Sequence, residues 1–227
     1  MISEPSGNPT TPSQKPTSSI HGNERLIFLS DGVFAITITL LVLEIKVPEI
    51  PEALVATELP NALLHLLPKI LAHILSFIVL GIYWSGHHNT FMHIKRHNRF
   101  LLWLNILFLM CVASMPFATG LLSQYHEHLL SIVTYSGILA GAGLVMDLMW
   151  WYATTHNLVE EDIDSEFVAF VHHRNRLAPV IYLLSIAISF FSITVAKFLI
   201  FIVAVLYIVP NPLDGHHHKL LAKRLDE

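Results

Sequence analysis

The feature that most constrains this chain is a series of apolar blocks, each long enough to cross a lipid bilayer. A helix needs about 20 apolar residues to span roughly 30 Å of hydrocarbon. Hydrophobic residues make up 53% of the chain and charged residues only 13%, whereas a soluble domain carries about 25% charged residues. Too little polar material remains for a water-facing surface, so the sequence predicts an all-α integral membrane protein.

The apolar blocks predict six transmembrane helices, and the last two, being short and nearly continuous, are expected to form a tight hairpin. The blocks cover residues 26–45, 63–85, 100–122, 129–151, 177–192 and 195–209. Residues 25–210 are therefore predicted to form one membrane domain. Residues 1–24, rich in Pro, Ser and Thr, are predicted to be a disordered polar tail. Residues 211–227 are predicted to be a polar cytoplasmic tail, whose His run at 216–218 is assigned no role.

The lysines and arginines predict the orientation, because cytoplasmic loops are enriched in them. With six spans both termini lie on one side, which would hold ten of these residues: Lys15, Arg25, Lys95, Arg96, Arg99, Arg174, Arg176, Lys219, Lys223 and Arg224. The other side would hold only Lys46, Lys69 and Lys197. Both termini are thus predicted to be cytoplasmic. The modest net charge of −4 argues against a nucleic-acid partner.

The first apolar block carries an aspartate about one and a half turns inside the span. A carboxylate at that depth is costly and needs a protein or water partner. Arg25 lies six residues before Asp31, beyond the three- or four-residue spacing that makes side chains neighbours on a helix. We therefore expect Asp31 to reach a neighbouring helix, with His87, His88 or Asn89 as candidate partners. A polar clasp that fixes helix packing, direct contact with a transported ion and a gating role all remain open.

Beyond Asp31 the same helix presents an apolar stripe. Ile36, Leu40 and Leu43 follow the i, i+4, i+7 spacing, and Thr39 lies beside them on the same face. Taken alone, such a stripe is typical of a lipid-facing or packing surface, and a threonine often bonds to the carbonyl one turn back.

The first block also resembles a known family. It contains Ser-Asp-Gly-Val-Phe-Ala-Ile at 30–36 and Thr-Leu-Leu-Val-Leu-Glu at 39–44, after an arginine at position 25. These runs resemble the first helix of the transmembrane protein 175 family of endosomal-lysosomal potassium channels, although Leu29 replaces the phenylalanine of the family's Phe-Ser-Asp motif. Further matches are Tyr-Trp at 83–84, His-His at 87–88, Leu-Leu-Trp-Leu-Asn at 101–105 and Met-Pro-Phe-Ala-Thr at 115–119. The first-helix motif is present in one copy, as in prokaryotic members of the family.

The resemblance implies a potassium-permeable channel built as a homotetramer in a prokaryotic cell membrane, with the first helix of each subunit lining the pore. It implies that Ile36, Leu40 and Leu43 form a hydrophobic constriction and that Thr39 influences selectivity. It also marks a structural polar network of Arg25, Ser30, Asp31, His87 and His88. Potassium is then the permeant species rather than a cofactor, and no cofactor or metal site is expected.

Several other classes of membrane protein fit the sequence less well. The chain has no Thr-Val-Gly-Tyr-Gly filter and no ladder of arginines, which excludes an ordinary or voltage-gated potassium channel. A secondary transporter would need coupling-ion sites and usually inverted repeats, and a proton or cation leak pathway is a related alternative. A membrane enzyme using some of the fifteen histidines would need partners such as a His-Glu-x-x-His motif, which is absent. The sequence therefore predicts a passive channel and no enzyme.

Overall fold

The computed structural model describes residues 18–208, with side chains from residue 24 onward, and is built from helices. No β-strand occurs in this range, although Ile94 and Val159 form one isolated antiparallel bridge. Residues 1–17 of the predicted N-terminal tail (1–24) and the whole predicted C-terminal tail (211–227), with its His run, lie outside the described residues. The helices are α1 (Ser18–Leu40, continued as a 3-10 turn through Glu44), α2 (Val55–His65), α3 (Leu67–His93), α4 (Arg99–Ala113), α5 (Met115–Gln124), α6 (Leu129–Thr155), α7 (Ser165–Ser189) and α8 (Ile193–Ile208).

Four segments of the described chain are long and apolar enough to cross a membrane. They are Glu24–Glu44, Leu67–His93, Arg99–Gln124 and Leu129–Thr155. Of the remaining predicted spans, α8 is apolar but has only 16 residues, and α7 has 25 residues with a charged first half. The all-α class is confirmed, and the chain is a membrane protein with at least these four candidate spans.

The helix boundaries differ from the predicted spans where local capping and packing decide them. The first helix begins at Ser18, eight residues before the predicted span. The second predicted span is divided at Leu66, and α3 continues to His93, because His87, Thr90 and Phe91 are buried and extend its packed face. In the third span, the helix is interrupted at Ser114, where α5 starts with a proline in its first turn.

The acidic loop before the fifth predicted span partly belongs to the helix itself. Asp164 is the N-cap of α7, and its carboxylate accepts a hydrogen bond from the backbone N–H of Glu166 at 3.1 Å. An acidic cap and an acidic first turn both stabilise a helix N-terminus. This explains why α7 begins at Ser165, twelve residues earlier than hydropathy predicts.

The loops after α3 and after α6 are joined beside the Ile94–Val159 bridge. The backbone N–H of Lys95 donates to the carbonyl of Leu158 at 2.9 Å, and that of Glu160 donates to the carbonyl of His93 at 3.1 Å. Lys95 Nζ lies 2.6 Å from Glu160 Oε1, and His93 Nδ1 lies 3.4 Å from Glu160 Oε2. The hydrogen bond from Lys95 is the main cause that lowers the pKa of the Glu160 carboxyl. This polar junction ties two helical hairpins together at one end.

Candidate functional site

Helix α1 has two faces with different surroundings. One face is buried against the rest of the subunit and carries Leu26, Ser30, Phe34, Thr37 and Leu41. The Phe34 ring lies 5.9 Å from the ring of Phe108 in α4 and 6.2 Å from that of His87 in α3. The spacing of these residues, every three or four positions, is what a helix needs to keep one side against its neighbours. Phe34 and its neighbours thus fix the rotation of α1 about its own axis.

The opposite face of α1 is left uncovered in the single subunit. Ile36, Leu40 and Leu43 are 61%, 43% and 66% exposed, and Thr39 is exposed among them. Leu43 lies in the 3-10 turn Leu41–Glu44 rather than in the α-helix assumed from the sequence. The structure therefore brings the four predicted constriction and selectivity residues to one accessible side of α1. We refer to Ile36, Thr39, Leu40 and Leu43 below as the open face.

Thr39 is arranged so that its hydroxyl oxygen is available as an acceptor. The hydroxyl donates back to its own helix, at 2.8 Å from the carbonyl of Ile36 and 3.0 Å from that of Ala35. Its single proton is used there, so the oxygen lone pairs face away from the backbone. A neutral oxygen of this kind can take the place of water around a cation.

A directional hydrogen-bond network anchors the buried face of α1 to two other helices. The Ser30 hydroxyl donates to the carbonyl of Leu26 at 2.9 Å, so its oxygen accepts from Asn105 Nδ2 at 3.1 Å. The side-chain amide oxygen of Asn105, Oδ1, in turn accepts a hydrogen bond from His87 Nε2 at 2.8 Å. The His87 ring is stacked against Phe91 and Phe108, with centroids 4.4 and 5.2 Å away. Ser30, Asn105 and His87 are all buried, which makes this a buried polar clasp between α1, α3 and α4.

Asp31 has a different partner from those expected. Its Oδ1 accepts a hydrogen bond from the indole Nε1 of Trp84 at 2.8 Å, rather than from His87, His88 or Asn89. The indole reaches α1 from one turn nearer the N-terminus of α3, while His87 is already bonded to Asn105. His88 takes part indirectly, because its ring stacks on Trp84 with centroids 5.8 Å apart. Arg25 is exposed and is not among the partners of Asp31 within residues 24–208.

Two residues of this network, Trp84 and Asn105, were not assigned a role from the sequence. Both stand in the runs that carry the family resemblance, at 83–84 and 101–105. An asparagine inside an otherwise apolar block is a signal for a buried polar contact. Its partner could not be named, because Ser30 lies 75 residues away in the chain.

A second aspartate, Asp147 in α6, is buried and paired as well. Its carboxylate lies 2.8 Å from His172 Nδ1 and 2.8 Å from Arg176 Nε, both on α7. This second polar cluster joins α6 to α7 and is separate from the open face, so its geometry fits a structural role.

The described helices include four apolar segments of membrane-spanning length, and the first of them is clasped on one face and uncovered on the other, so the chain is an integral membrane protein of the all-helical class. The comparisons with known proteins agree with this class. The chain belongs to the TMEM175 family: residues 25–116 match the family described as "Endosomal/lysosomal potassium channel TMEM175". A protein of Streptomyces collinus named as a potassium channel is 35% identical over 178 residues, covering 74% of this chain and 82% of the relative.

A solved structure has the same fold. It is described as a lysosomal potassium-selective channel TMEM175 homolog from Chamaesiphon minutus, with a TM-score of 0.74 and 33% sequence identity, and the match covers 83% of this chain and 97% of that one. Chicken TMEM175, named as an endosomal/lysosomal proton channel, is 36% identical over 109 residues, which are 46% of this chain and 22% of the relative. The family is one of ion channels, and this chain is a membrane-embedded member of it.

Proposed function

We propose that this chain is one subunit of a homotetrameric, weakly selective potassium channel in a prokaryotic cell membrane. Each subunit contributes α1 to a central pore, with both termini cytoplasmic and six spans formed by residues 25–210. The observation that carries the proposal is the open face, which is apolar and uncovered while the opposite face of α1 is clasped. Ion flux is passive, with potassium as the permeant species, no cofactor and no catalytic step.

The open face suits a pore that closes by excluding water. One subunit offers a single such helix, which cannot enclose a path alone, whereas four copies around an axis can. Rings of Ile36, Leu40 and Leu43 would form an apolar constriction with Ile36 nearest the cytoplasm, and a narrow apolar ring blocks ions by dewetting. A small rotation or dilation of α1 would let water and ions enter.

Thr39 lies beside the first two of these rings. Four Thr39 hydroxyl oxygens could replace part of the hydration shell of a passing cation. Since their oxygens are neutral and potassium is dehydrated more easily than sodium, we expect a modest preference for potassium.

The main alternative is a secondary transporter or a proton or cation leak. Because the chicken relative is named as a proton channel, proton flux should be measured together with potassium flux.

The test is cation flux in liposomes driven by a membrane potential and normalised to tetramer content. Ile36→Asn should raise the flux, because an amide in the narrowest ring removes the dewetting barrier. Leu71→Asn in α3, a position that is 63% exposed, is the matched control and should not raise it. If the open face instead lay against lipid, the new amide would be unpaired in hydrocarbon at a cost of about 1–3 kcal/mol and would reduce the amount of folded protein.

Selectivity and assembly are tested separately. Thr39→Ala and Thr39→Val should conduct with a weaker preference for potassium over sodium, while Thr39→Ser, which keeps the hydroxyl, should retain it. Unchanged selectivity in Thr39→Ala together with lost protein in Ile36→Asn would mean that another face lines the pore. Native mass spectrometry in mild detergent should give tetramers, and finding only monomers or dimers would contradict the assembly.

A further inference from the structure

Helix α7 contains a proline that removes one of its backbone hydrogen bonds. Pro179 lies inside Ser165–Ser189 and has no N–H, so the carbonyl of Asn175, four residues earlier, loses its α-helical donor. In the membrane interior a freed carbonyl must find another partner, such as a side chain or an ordered water.

A small cavity lies beside this missing hydrogen bond. Its volume is about 20 Å³, and its walls come from α3, α6, α7 and α8 and include Tyr83, Gly143, Met146, Asn175, Tyr182 and Val203. Gly143 is needed for the close approach of α6 and α7 here, because a β-carbon at that position would overlap the Pro179 ring and lie 3.1 Å from the Tyr83 hydroxyl. Asn175 and Tyr182 are seven residues apart and so face the cavity from the same side of α7.

The cavity contains polar atoms that the protein does not pair. Asn175 Nδ2 and the Tyr182 hydroxyl are buried and have no hydrogen-bond partner among residues 18–208. The Asn175 residue is only 6% exposed, and Tyr182 is 0% exposed. The Tyr83 hydroxyl donates to the carbonyl of Leu139 at 2.6 Å, which leaves its oxygen free to accept.

We propose that this cavity is a binding site for one structural water molecule that takes the place of the hydrogen bond removed by Pro179. A water needs about 10–15 Å³ and typically makes about three hydrogen bonds to buried polar groups; the cavity of about 20 Å³ meets the first condition, and Asn175, Tyr182 and Tyr83 supply polar groups for the second. Asn175 Nδ2 would donate to the water, the Tyr182 hydroxyl and the Tyr83 oxygen would complete its partners, and the freed carbonyl could accept from it. The site is separate from the open face and does not depend on the proposed pore.

Radiolytic hydroxyl-radical labelling of the purified channel tests the proposal, because a bound water is a local source of radicals. Met146 lines the cavity, whereas Met149, one turn further along α6, is buried and does not. We expect Met146 and Tyr182 to be labelled several-fold faster than Met149, although Tyr182 is as fully buried as Met149 (both 0% exposed) and Met146 is only 7% exposed. Labelling of Met146 no faster than that of Met149 would overturn the proposal and indicate a dry cavity in which Asn175 and Tyr182 pair directly after a side-chain rotation.

The double variant Asn175→Leu/Tyr182→Phe supplies the second measurement. It replaces both unpaired polar groups with apolar groups of similar size and should lower the labelling rate of Met146 to that of Met149. An undiminished rate in a correctly assembled variant would also contradict the proposed site. If this variant does not assemble, the comparison of Met146 with Met149 in the unmodified protein still decides the matter.

Discussion

Asn105 is the centre of the clasp that holds α1, and its replacement by leucine has a consequence that can be worked out bond by bond. In Asn105→Leu the Ser30 hydroxyl keeps its own acceptor, the carbonyl of Leu26. His87 Nε2, in contrast, loses its acceptor at 2.8 Å inside a stack of phenylalanine rings that water does not reach. An unpaired buried donor costs about 1–3 kcal/mol, so the free energy of unfolding should fall by that amount.

The His87 ring lies in a stack between Phe91 and Phe108 that a phenylalanine can also occupy. His87→Phe keeps an aromatic ring between Phe91 and Phe108 but leaves the Asn105 oxygen unpaired, again at about 1–3 kcal/mol. In the double variant both polar groups are gone, and a shape-matched apolar pair can be nearly neutral. Since each single variant costs about 1–3 kcal/mol and the double variant is nearly neutral, we expect the double variant to be more stable than the sum of the single effects by about 2–6 kcal/mol, and the lower part of this interval overlaps the range seen for coupled neighbours.

The assay is reversible unfolding in mixed micelles or bicelles for the unmodified protein, both single variants and the double variant. His87→Phe combined with Tyr135→Phe serves as the control cycle, because the Tyr135 hydroxyl is bonded to Ser76, eleven residues and roughly 16 Å along α3 from His87. That pair should be additive. Additive effects for Asn105→Leu and His87→Phe as well would refute the directional network.

Three further predictions concern other contacts. Asp31→Ala leaves the Trp84 indole without its acceptor and should lower the tetramer yield or thermal stability before it changes ion selectivity; normal tetramers of unchanged stability but altered selectivity would instead put Asp31 in the ion path. Gly143→Ala should cost about 1–3 kcal/mol through overlap with Pro179, whereas Gly137→Ala, with nothing within 4 Å, should be neutral or slightly stabilising in thermal unfolding. The pKa of Glu160 is lowered from its ordinary value of 4.5, so its contact with Lys95 stabilises the fold above that pH, and this stabilisation is lost as the pH falls through the lower folded pKa. Glu160→Gln should therefore reduce the thermal stability at neutral pH and flatten the loss of stability below pH 4.5. Glu161→Gln should behave like the unmodified protein.

The membrane class could be predicted from the sequence because it depends on block length and composition, which need no tertiary information. The faces of α1 could not be told apart in that way. Phe34 and Ile36 are both apolar, yet Phe34 is buried between His87 and Phe108 while Ile36 is uncovered. In a membrane helix apolar residues cover all sides, so periodicity alone does not separate packing from exposure. The family resemblance supplied the assignment of the open face.

Contacts between distant residues were the other part that the sequence left undetermined. An aspartate in a span requires a partner, which the sequence predicted, but only the relative position of α1 and α3 selects Trp84 over the histidines that follow it. The start of α7 was missed because an Asp164 cap outweighs the low hydropathy of the residues after it. Pro179 does not end the helix. Helix α7 continues through it, and the proline ring packs against Gly143.

The distance along the chain between Asp31 and its partner also bears on how the protein is made. Trp84 follows Asp31 by 53 residues and Asn105 follows Ser30 by 75. At about 5–20 residues per second of synthesis, the ribosome needs roughly 3–15 s to supply these partners after α1 has emerged. During that interval α1 enters the membrane with an unpaired carboxylate, which costs about 2.5–3.5 kcal/mol near the centre of a span, whereas each Leu, Ile, Phe or Val returns about 0.3–0.6 kcal/mol. The dense apolar content of Glu24–Glu44 therefore outweighs the cost of the carboxylate while α1 inserts, before Trp84 is available to pair with it.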